Sequence, residues 1–184
     1  MGALKDEYRE RYTYRDYLEW EGEWELIEGV AYAMAPAPLI KHQELAGNIL
    51  AALKEMADAC ETCQVLMEVD YKVSDDTVLK PDVVLTCGES NDAYLTKAPE
   101  IVVEVISPST AQRDERYKFS IYEEEKVRYY ILVYPDSLVA KIYKNIEGRF
   151  DKQGDFSVES YRFDDLSCSV SVDFEKVFRR YRNA

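Results

Sequence analysis

Apolar residues recur along this chain at two spacings, and the difference separates helices from strands. Residues 41–60 carry an apolar side chain every three or four positions, which predicts a long amphipathic helix. A second helical pattern runs from about residue 109 to residue 125. Shorter helices are predicted at 12–20 and at 173–181. The chain therefore has two main helices and a smaller one towards each end.

Runs of β-branched and aromatic residues mark the strands. The predicted strands are 24–27, 30–34, 65–73, 79–86, 101–106, 129–134 and 139–143. The first two form a hairpin, because Gly29 in the Glu28-Gly29 turn can take the positive φ that a two-residue turn needs. Residues 148–154 are predicted as a polar turn and 159–163 as a weaker strand. Helices and strands thus alternate, which predicts an α/β fold.

Length and composition favour one globular domain that covers residues 1–184. Hydrophobic residues make up 47% of the chain and charged residues 32%, an ordinary globular composition. The sequence has no run of 18 apolar residues and begins with polar residues, so we expect no membrane segment and a cytoplasmic location.

Four cysteines occur in the sequence, at positions 60, 63, 87 and 168. In a chain of this length without an export signal we expect reduced thiols rather than a disulfide framework. The Cys60-x-x-Cys63 spacing suits metal or redox chemistry, but no second pair follows at zinc spacing. We therefore interpret it as a coincidence at the end of a helix.

The formal net charge is −13, which argues against a general nucleic-acid binder. Any role on nucleic acid must rest on a local patch of the surface. Binding is then expected to be weak and to fall steeply with salt.

Two acidic residues lie inside apolar strands. Asp82 precedes Val83-Val84-Leu85, and Glu104 stands between Val103 and Val105. A carboxylate in such a run needs a partner, and two that converge from adjacent strands would raise each other's pKa. A divalent cation would relieve that repulsion. Lys118 supplies a positive group nearby in the sequence.

The order of elements and motifs resembles the PD-(D/E)xK superfamily of restriction-endonuclease-like nucleases, and within it the Uma-type family. The motifs that carry the resemblance are W-E-L-I-E-G (24–29), K-H-Q (41–43), P-D-V-V (81–84), I-V-V-E-V-I-S-P-S-T (101–110), R-D-E-R-Y-K-F-S-I-Y (113–122) and V-R-Y-Y-I-L-V (127–133). The resemblance implies a mixed central sheet flanked by helices in the order αβββαβ, with an N-terminal helix and hairpin added.

The resemblance also implies a function, a metal-dependent endodeoxyribonuclease that hydrolyses phosphodiester bonds. Asp82 and Glu104 would hold Mg²⁺ or Mn²⁺, and the partner would be DNA. The superfamily's catalytic lysine lies two residues after the glutamate, where this chain has Ile106. Lys118 offers a replacement on the following helix, because Asp114, Lys118 and Tyr122 share one helical face.

Other polar residues match the family pattern in supporting roles. His42 is the sole histidine, which excludes sites built on two imidazoles. With Gln43 it matches the family's H-Q pair, although a surface or capping role is the alternative for it. Glu28 or Glu25 matches the acid of the hairpin and would complete the metal shell, unless it is a solvated turn residue.

A second hypothesis comes from another functional class. Ile106 and the acidic surface favour a catalytically inactive member of the fold that acts as a nucleic-acid or protein interaction module. A homodimer is expected in that case. Metal binding between Asp82 and Glu104 would discriminate the two hypotheses.

Overall fold

A computed structural model of the protein describes residues 10–34 and 39–182. The helices are α1 (Tyr14–Tyr17), α2 (Ile40–Ala57), a π-helical segment (Arg113–Lys118) that continues into α3 (Phe119–Glu124), and α4 (Phe174–Arg182). The strands are β1 (Trp24–Ile27), β2 (Val30–Ala33), β3 (Cys63–Met67), β4 (Tyr71–Lys72), β5 (Val78–Leu79), β6 (Val83–Cys87), β7 (Ile101–Val105), β8 (Tyr129–Tyr134), β9 (Val139–Ile146), β10 (Arg149–Phe156), β11 (Ser160–Phe163) and β12 (Val170–Asp173).

A mixed six-stranded sheet forms the centre of the fold, with strand order β10-β9-β8-β7-β6-β3. Strands β7 and β8 are parallel, and the other neighbours are antiparallel. A parallel pair needs a crossover connection, and the helical segments between Arg113 and Glu124 provide it. Every residue of β7 is buried, as expected for a central strand covered on both faces.

Side chains alternate between the two faces of this sheet. One face packs against α2 and α4, with Leu45, Ile49 and Phe178 in its core. The other face packs against α3, with Tyr122 and Tyr130 among its buried residues. The sheet is therefore covered by helices on both faces, as the sequence predicts.

A smaller sheet has the strand order β2-β1-β5-β4. Its hairpin turns at Glu28 and Gly29, whose φ angles are 48° and 76°. Leu26 of β1 pairs with Val78 of β5, which connects the hairpin to the chain that leads into β6. This second sheet places Glu25 of β1 beside Lys118 of the π-helical segment.

The structure corrects several predicted boundaries. The predicted strand 79–86 is two strands, because Pro81 has no N–H for a ladder and interrupts the pairing between β5 and β6. The predicted strand 65–73 likewise divides into β3 and β4, which belong to different sheets. Residues 148–154 were predicted as a polar turn but form most of β10. Much of this strand is exposed, so its side chains are mostly polar and lack the apolar pattern from which a strand is predicted.

The helix predicted at 12–20 is the single turn α1, with Thr13 as its cap. The Pro36 and Pro38 segment that ends the predicted hairpin lies outside the described residues. No helix in the described ranges is long and apolar enough to cross a membrane.

The cysteines also differ from the expectation of reduced thiols. Cys60 is bonded to Cys168, and Cys63 to Cys87. Sequence spacing could not suggest these pairs, because 108 residues separate the first pair and 24 the second.

Candidate active site

A cleft of about 510 Å³ opens where the small sheet, β6, β7 and α2 meet. The acidic residues that line it are Glu25, Glu68, Asp82, Glu104, Asp114 and Asp136. The basic ones are Lys41, His42, Lys80, Arg113 and Lys118. The cleft thus holds the carboxylates that the sequence placed inside apolar strands.

Lys118 lies at the centre of the site, on the π-helical segment. Its Nζ is 2.6 Å from Glu25 Oε1, 2.9 Å from Glu104 Oε1 and 3.4 Å from Asp114 Oδ1. The residue is only 2% exposed. Burial alone would lower the pKa of Lys118, but the carboxylates of Glu104, Glu25 and Asp114 outweigh it and hold that pKa well above its ordinary value. The three carboxylates therefore favour the charged form of Lys118.

The π-helical geometry is part of how Lys118 reaches this position. Asp114 and Lys118 are the buried residues of the segment, and Tyr130 donates a hydrogen bond of 2.9 Å to the Asp114 carbonyl. Single turns of π-helix often occur at functional sites, since the widened turn redirects side chains. Here that turn directs the ammonium towards β7.

Glu104 projects from β7 on the face that α3 covers. The Tyr122 hydroxyl donates a hydrogen bond of 3.1 Å to Glu104 Oε1, the same oxygen that Lys118 contacts. Burial raises the pKa of Glu104, Lys118 opposes the rise, and the neighbouring carboxylates of Asp114 and Asp82 add to it. A carboxyl group in this setting gains stability from any further cation that approaches.

Asp82 stands just before β6 and next to Glu104. Val83 pairs with Val103, so the antiparallel register continued by one residue puts Asp82 opposite Glu104. Asp82 Oδ2 accepts a hydrogen bond of 2.6 Å from the Val105 backbone N–H. His42 Nε2 lies 3.4 Å from the same oxygen. Burial lowers the pKa of His42, but its contact with Asp82 outweighs burial and raises it.

Negative charge exceeds positive charge within this cluster. The carboxylates that surround Lys118 and His42 are Glu25, Asp82, Glu104 and Asp114. Arg113 Nε lies 3.2 Å from Glu25 Oε2, yet neither atom makes a hydrogen bond of good geometry. Four carboxyl groups thus share three basic groups, Lys118, His42 and Arg113, and a bound cation would favour their ionised form.

The structure brings together most of the residues that the sequence indicates. Asp82, Glu104 and Lys118 converge, and Asp114 and Tyr122 join them on the predicted helical face. His42 contacts Asp82.

Two predicted supporting residues lie elsewhere. Gln43 is exposed, because one step along α2 rotates its side chain away from the cleft that His42 lines. Glu28 is exposed in the hairpin turn, and Glu25 is the hairpin acid in the site, fully buried and bonded to the Lys80 backbone N–H at 3.0 Å. The sequence offered both acids, and the pairing of β1 with β5 decides between them.

Ile106, at the position of the superfamily's usual lysine, lines the same cleft. It is half-buried and packs against the apolar cluster on the α3 face. The site therefore has one lysine near its glutamate, and that lysine comes from the crossover helix.

An α/β core with a mixed central sheet flanked by helices is the fold of the restriction-endonuclease-like class. The chain belongs to the Uma2 family, described as "Putative restriction endonuclease", whose model matches residues 12–161. A solved structure, a "putative nuclease belonging to DUF820" from Anabaena variabilis, is similar with a TM-score of 0.72 and 15% identity. The match covers 91% of this chain and 97% of that one. No curated protein matches the chain.

Proposed function

We propose that the protein is a metal-dependent endonuclease that hydrolyses phosphodiester bonds in DNA. The observation that carries the proposal is the convergence of Asp82 and Glu104 from adjoining strands beside the buried Lys118. Membership of a nuclease family and the nuclease fold support the reaction class.

Asp82 and Glu104 would hold the metal. Their donors are carboxylate oxygens, which Mg²⁺ and Mn²⁺ prefer, and the excess negative charge around them suits a divalent cation. Glu25 Oε2, 3.2 Å from Arg113 Nε, is a further buried carboxylate oxygen in the same cleft. When bound, the metal supplies a Lewis acid and a bound water of lowered pKa.

The protein's own residues then have separate tasks. Lys118 and Tyr122 fix Glu104 in one orientation through its Oε1. His42 and the Val105 N–H do the same for Asp82 through its Oδ2. The Lys118 ammonium also faces the cleft, where it can stabilise negative charge that develops on a phosphate.

Substrate entry is expected to depend on a small part of the surface. Lys41, Lys80 and Arg113 line the cleft, whereas the chain as a whole carries a formal charge of −13. The long-range field therefore repels DNA, and the local cations attract it only at close range. Association should be weak and should fall with salt.

The alternative is an inactive interaction module of the same fold. It is favoured by Ile106 at the usual lysine position and by the complete pairing of Lys118 with carboxylates. The homodimer and the cytoplasmic location expected from the sequence stay predictions beside either function.

A cleavage assay separates the two functions. Supercoiled plasmid, linear duplex, single-stranded DNA and RNA are each incubated with Mg²⁺, with Mn²⁺ and with a chelator. We expect metal-dependent cleavage of DNA that is lost in Asp82→Asn and in Glu104→Gln. Glu28→Gln is the matched control, since it removes an exposed carboxylate of the β1–β2 hairpin that does not line the cleft, and it should cleave like the wild type.

Two outcomes would contradict the proposal. Cleavage that persists in Asp82→Asn would place the activity elsewhere. Metal binding without cleavage of any substrate, together with nucleic-acid binding, would favour the interaction module instead.

A further inference from the structure

All four cysteines of the chain meet at one place. Cys60 follows α2, Cys63 begins β3, Cys87 ends β6, and Cys168 lies in the loop before β12. Cys63 Sγ lies 3.2 Å from the Sγ atoms of both Cys60 and Cys168, in addition to its bond with Cys87. The two bonded pairs therefore form a single cluster of four sulfurs.

We propose that the reduced protein binds one Zn²⁺ ion through these four thiolates. Zn²⁺ takes four sulfur ligands in a tetrahedron with Zn–S bonds of about 2.3 Å, which puts the sulfurs roughly 3.8 Å apart. The sulfurs of Cys60, Cys63 and Cys168 already lie within 4.8 Å of one another, and Cys87 is bonded to Cys63. Opening the two bonds leaves four thiols in a space of the required size.

The local backbone supports this geometry. Cys60-x-x-Cys63 has the two-residue spacing of zinc-binding turns, and the Cys63 N–H donates a hydrogen bond of 3.2 Å to the Cys60 carbonyl. The other two ligands come from positions distant in sequence, on β6 and on the loop before β12. All four residues are half-buried, so an ion can reach the sulfurs from solvent.

The chemistry balances in two steps. A thiol or phosphine reductant delivers two electrons to each bonded pair, and with two protons each pair becomes two thiols. Zn²⁺ then displaces the four thiol protons into solvent, without any electron transfer. Affinity for Zn²⁺ should consequently fall as the pH is lowered.

Four protein ligands close the coordination sphere, which is typical of a structural zinc site rather than a catalytic one. The ion would join the end of α2, the β3–β6 edge and the β11–β12 loop. It would lie at the opposite end of β6 from Asp82, about 17 Å away for five residues at about 3.3 Å each. The proposal is therefore independent of nuclease activity.

The test uses Co²⁺ and Zn²⁺ on protein reduced with a phosphine under anaerobic conditions. Asp82→Asn serves as the starting chain, because it removes a ligand of the other candidate metal site and leaves the cysteines unchanged. We expect one Co²⁺ per chain, with the sulfur-to-cobalt charge-transfer bands of a tetrahedral thiolate complex, and displacement of Co²⁺ by Zn²⁺. A Co²⁺ complex that lacks the charge-transfer bands would overturn the proposal.

Thiol alkylation provides a second readout that does not require a new variant to fold. With Zn²⁺ present the four cysteines should be alkylated at least tenfold more slowly than without it. In Cys168→Ser that protection should be largely lost, whereas Ser169→Ala, a neighbouring exposed change, should retain it. Equal alkylation rates with and without Zn²⁺ in the reduced wild type would also overturn the proposal.

Discussion

The two ends of β6 carry two different kinds of donor group. At its start, Asp82 lies opposite Glu104, which Lys118 contacts, on the face that α3 covers. At its end, Cys87 lies with the other cysteines against the face that α2 covers. The first end carries oxygen donors, which suit Mg²⁺ and Mn²⁺, and the second carries sulfur donors, which suit Zn²⁺.

The two ends are also stabilised differently. Buried charges at the Asp82 end depend on one another, because removal of any cation leaves carboxylates in a site of low polarity. The cysteines at the Cys87 end are half-buried and are joined covalently in two pairs. A substitution at the Asp82 end should therefore alter cleavage and the stability of the buried charges, and a substitution at the Cys87 end should leave both largely unchanged.

The largest expected effect is on catalysis. Asp82→Asn keeps the size of the side chain but removes the charge that would hold a metal, so the cleavage rate should fall by about 10²- to 10⁴-fold. Cys168→Ser, at the other end of β6, should change the rate by less than about threefold. Rates with saturating Mg²⁺ measure both. A comparable loss in the cysteine variant would mean that the two ends are coupled.

The next effect is on folding stability. Lys118→Met removes the ammonium and leaves Glu25, Glu104 and Asp114 buried without it, which should cost about 3–5 kcal/mol of unfolding free energy. Adding Glu25→Gln should recover part of this loss, because one fewer charge is then unpaired. Denaturant unfolding measures each variant.

Lys54→Met is the matched control for this stability prediction, since Lys54 is exposed on α2 and should change stability by less than about 0.5 kcal/mol. If Lys118→Met and Lys54→Met were equally stable, the buried charges would not depend on Lys118 as the structure indicates.

A smaller effect is the stabilisation of the folded protein by a bound metal ion. With the cysteines paired, Mn²⁺ at a hundred times its dissociation constant should stabilise the wild type by about 2.7 kcal/mol. Asp82→Asn should show no such gain, and without metal its stability should be unchanged or higher, since it relieves repulsion with Glu104. Thermal unfolding with and without Mn²⁺ measures both. Equal gains in the two proteins would contradict the assignment of Asp82 as a ligand.

The residues that meet at the Asp82 end of β6 were predicted from the sequence much better than those at the Cys87 end. An acidic residue inside an apolar strand is visible in the sequence, and the spacing of Asp114, Lys118 and Tyr122 placed them on one helical face, as the structure shows. The cysteine cluster was missed because its members come from segments up to 108 residues apart. Local spacing shows only the Cys60-x-x-Cys63 pair and carries no information on the contacts with Cys87 and Cys168.

Contacts between distant segments and exposure at a sheet edge explain the other wrong predictions, those for Glu28 and for residues 148–154. Glu25 rather than Glu28 enters the site because β1 pairs with β5, a contact between segments about fifty residues apart. Strand β10 was read as a turn, since an exposed edge strand does not need apolar residues on both faces. Buried central strands such as β7 were predicted correctly, because their composition alone requires burial on both faces.

The smallest effect concerns Glu89, near the Cys87 end, whose pKa is lowered whereas that of Glu104 is raised. Burial disfavours the charged form of Glu89, but the backbone N–H groups of Asn91, Thr96 and Ser90 donate hydrogen bonds to it, and together they lower its pKa to about 2. Because this pKa lies below that of the unfolded chain, Glu89 stabilises the fold above about pH 4.5, and the contribution is lost as the pH falls towards 2.

Glu89→Gln should therefore reduce stability at neutral pH by about 1 kcal/mol or less, since the site is partly exposed and screened by solvent. The difference between wild type and variant should shrink as the pH falls from about 4.5 to about 2, where the wild-type carboxylate also becomes neutral. Denaturant unfolding across this range measures it, with Glu61→Gln as an exposed control close to Cys60. A difference that stays constant with pH would mean that the hydrogen bonds, rather than the charge of Glu89, stabilise the 89–97 loop.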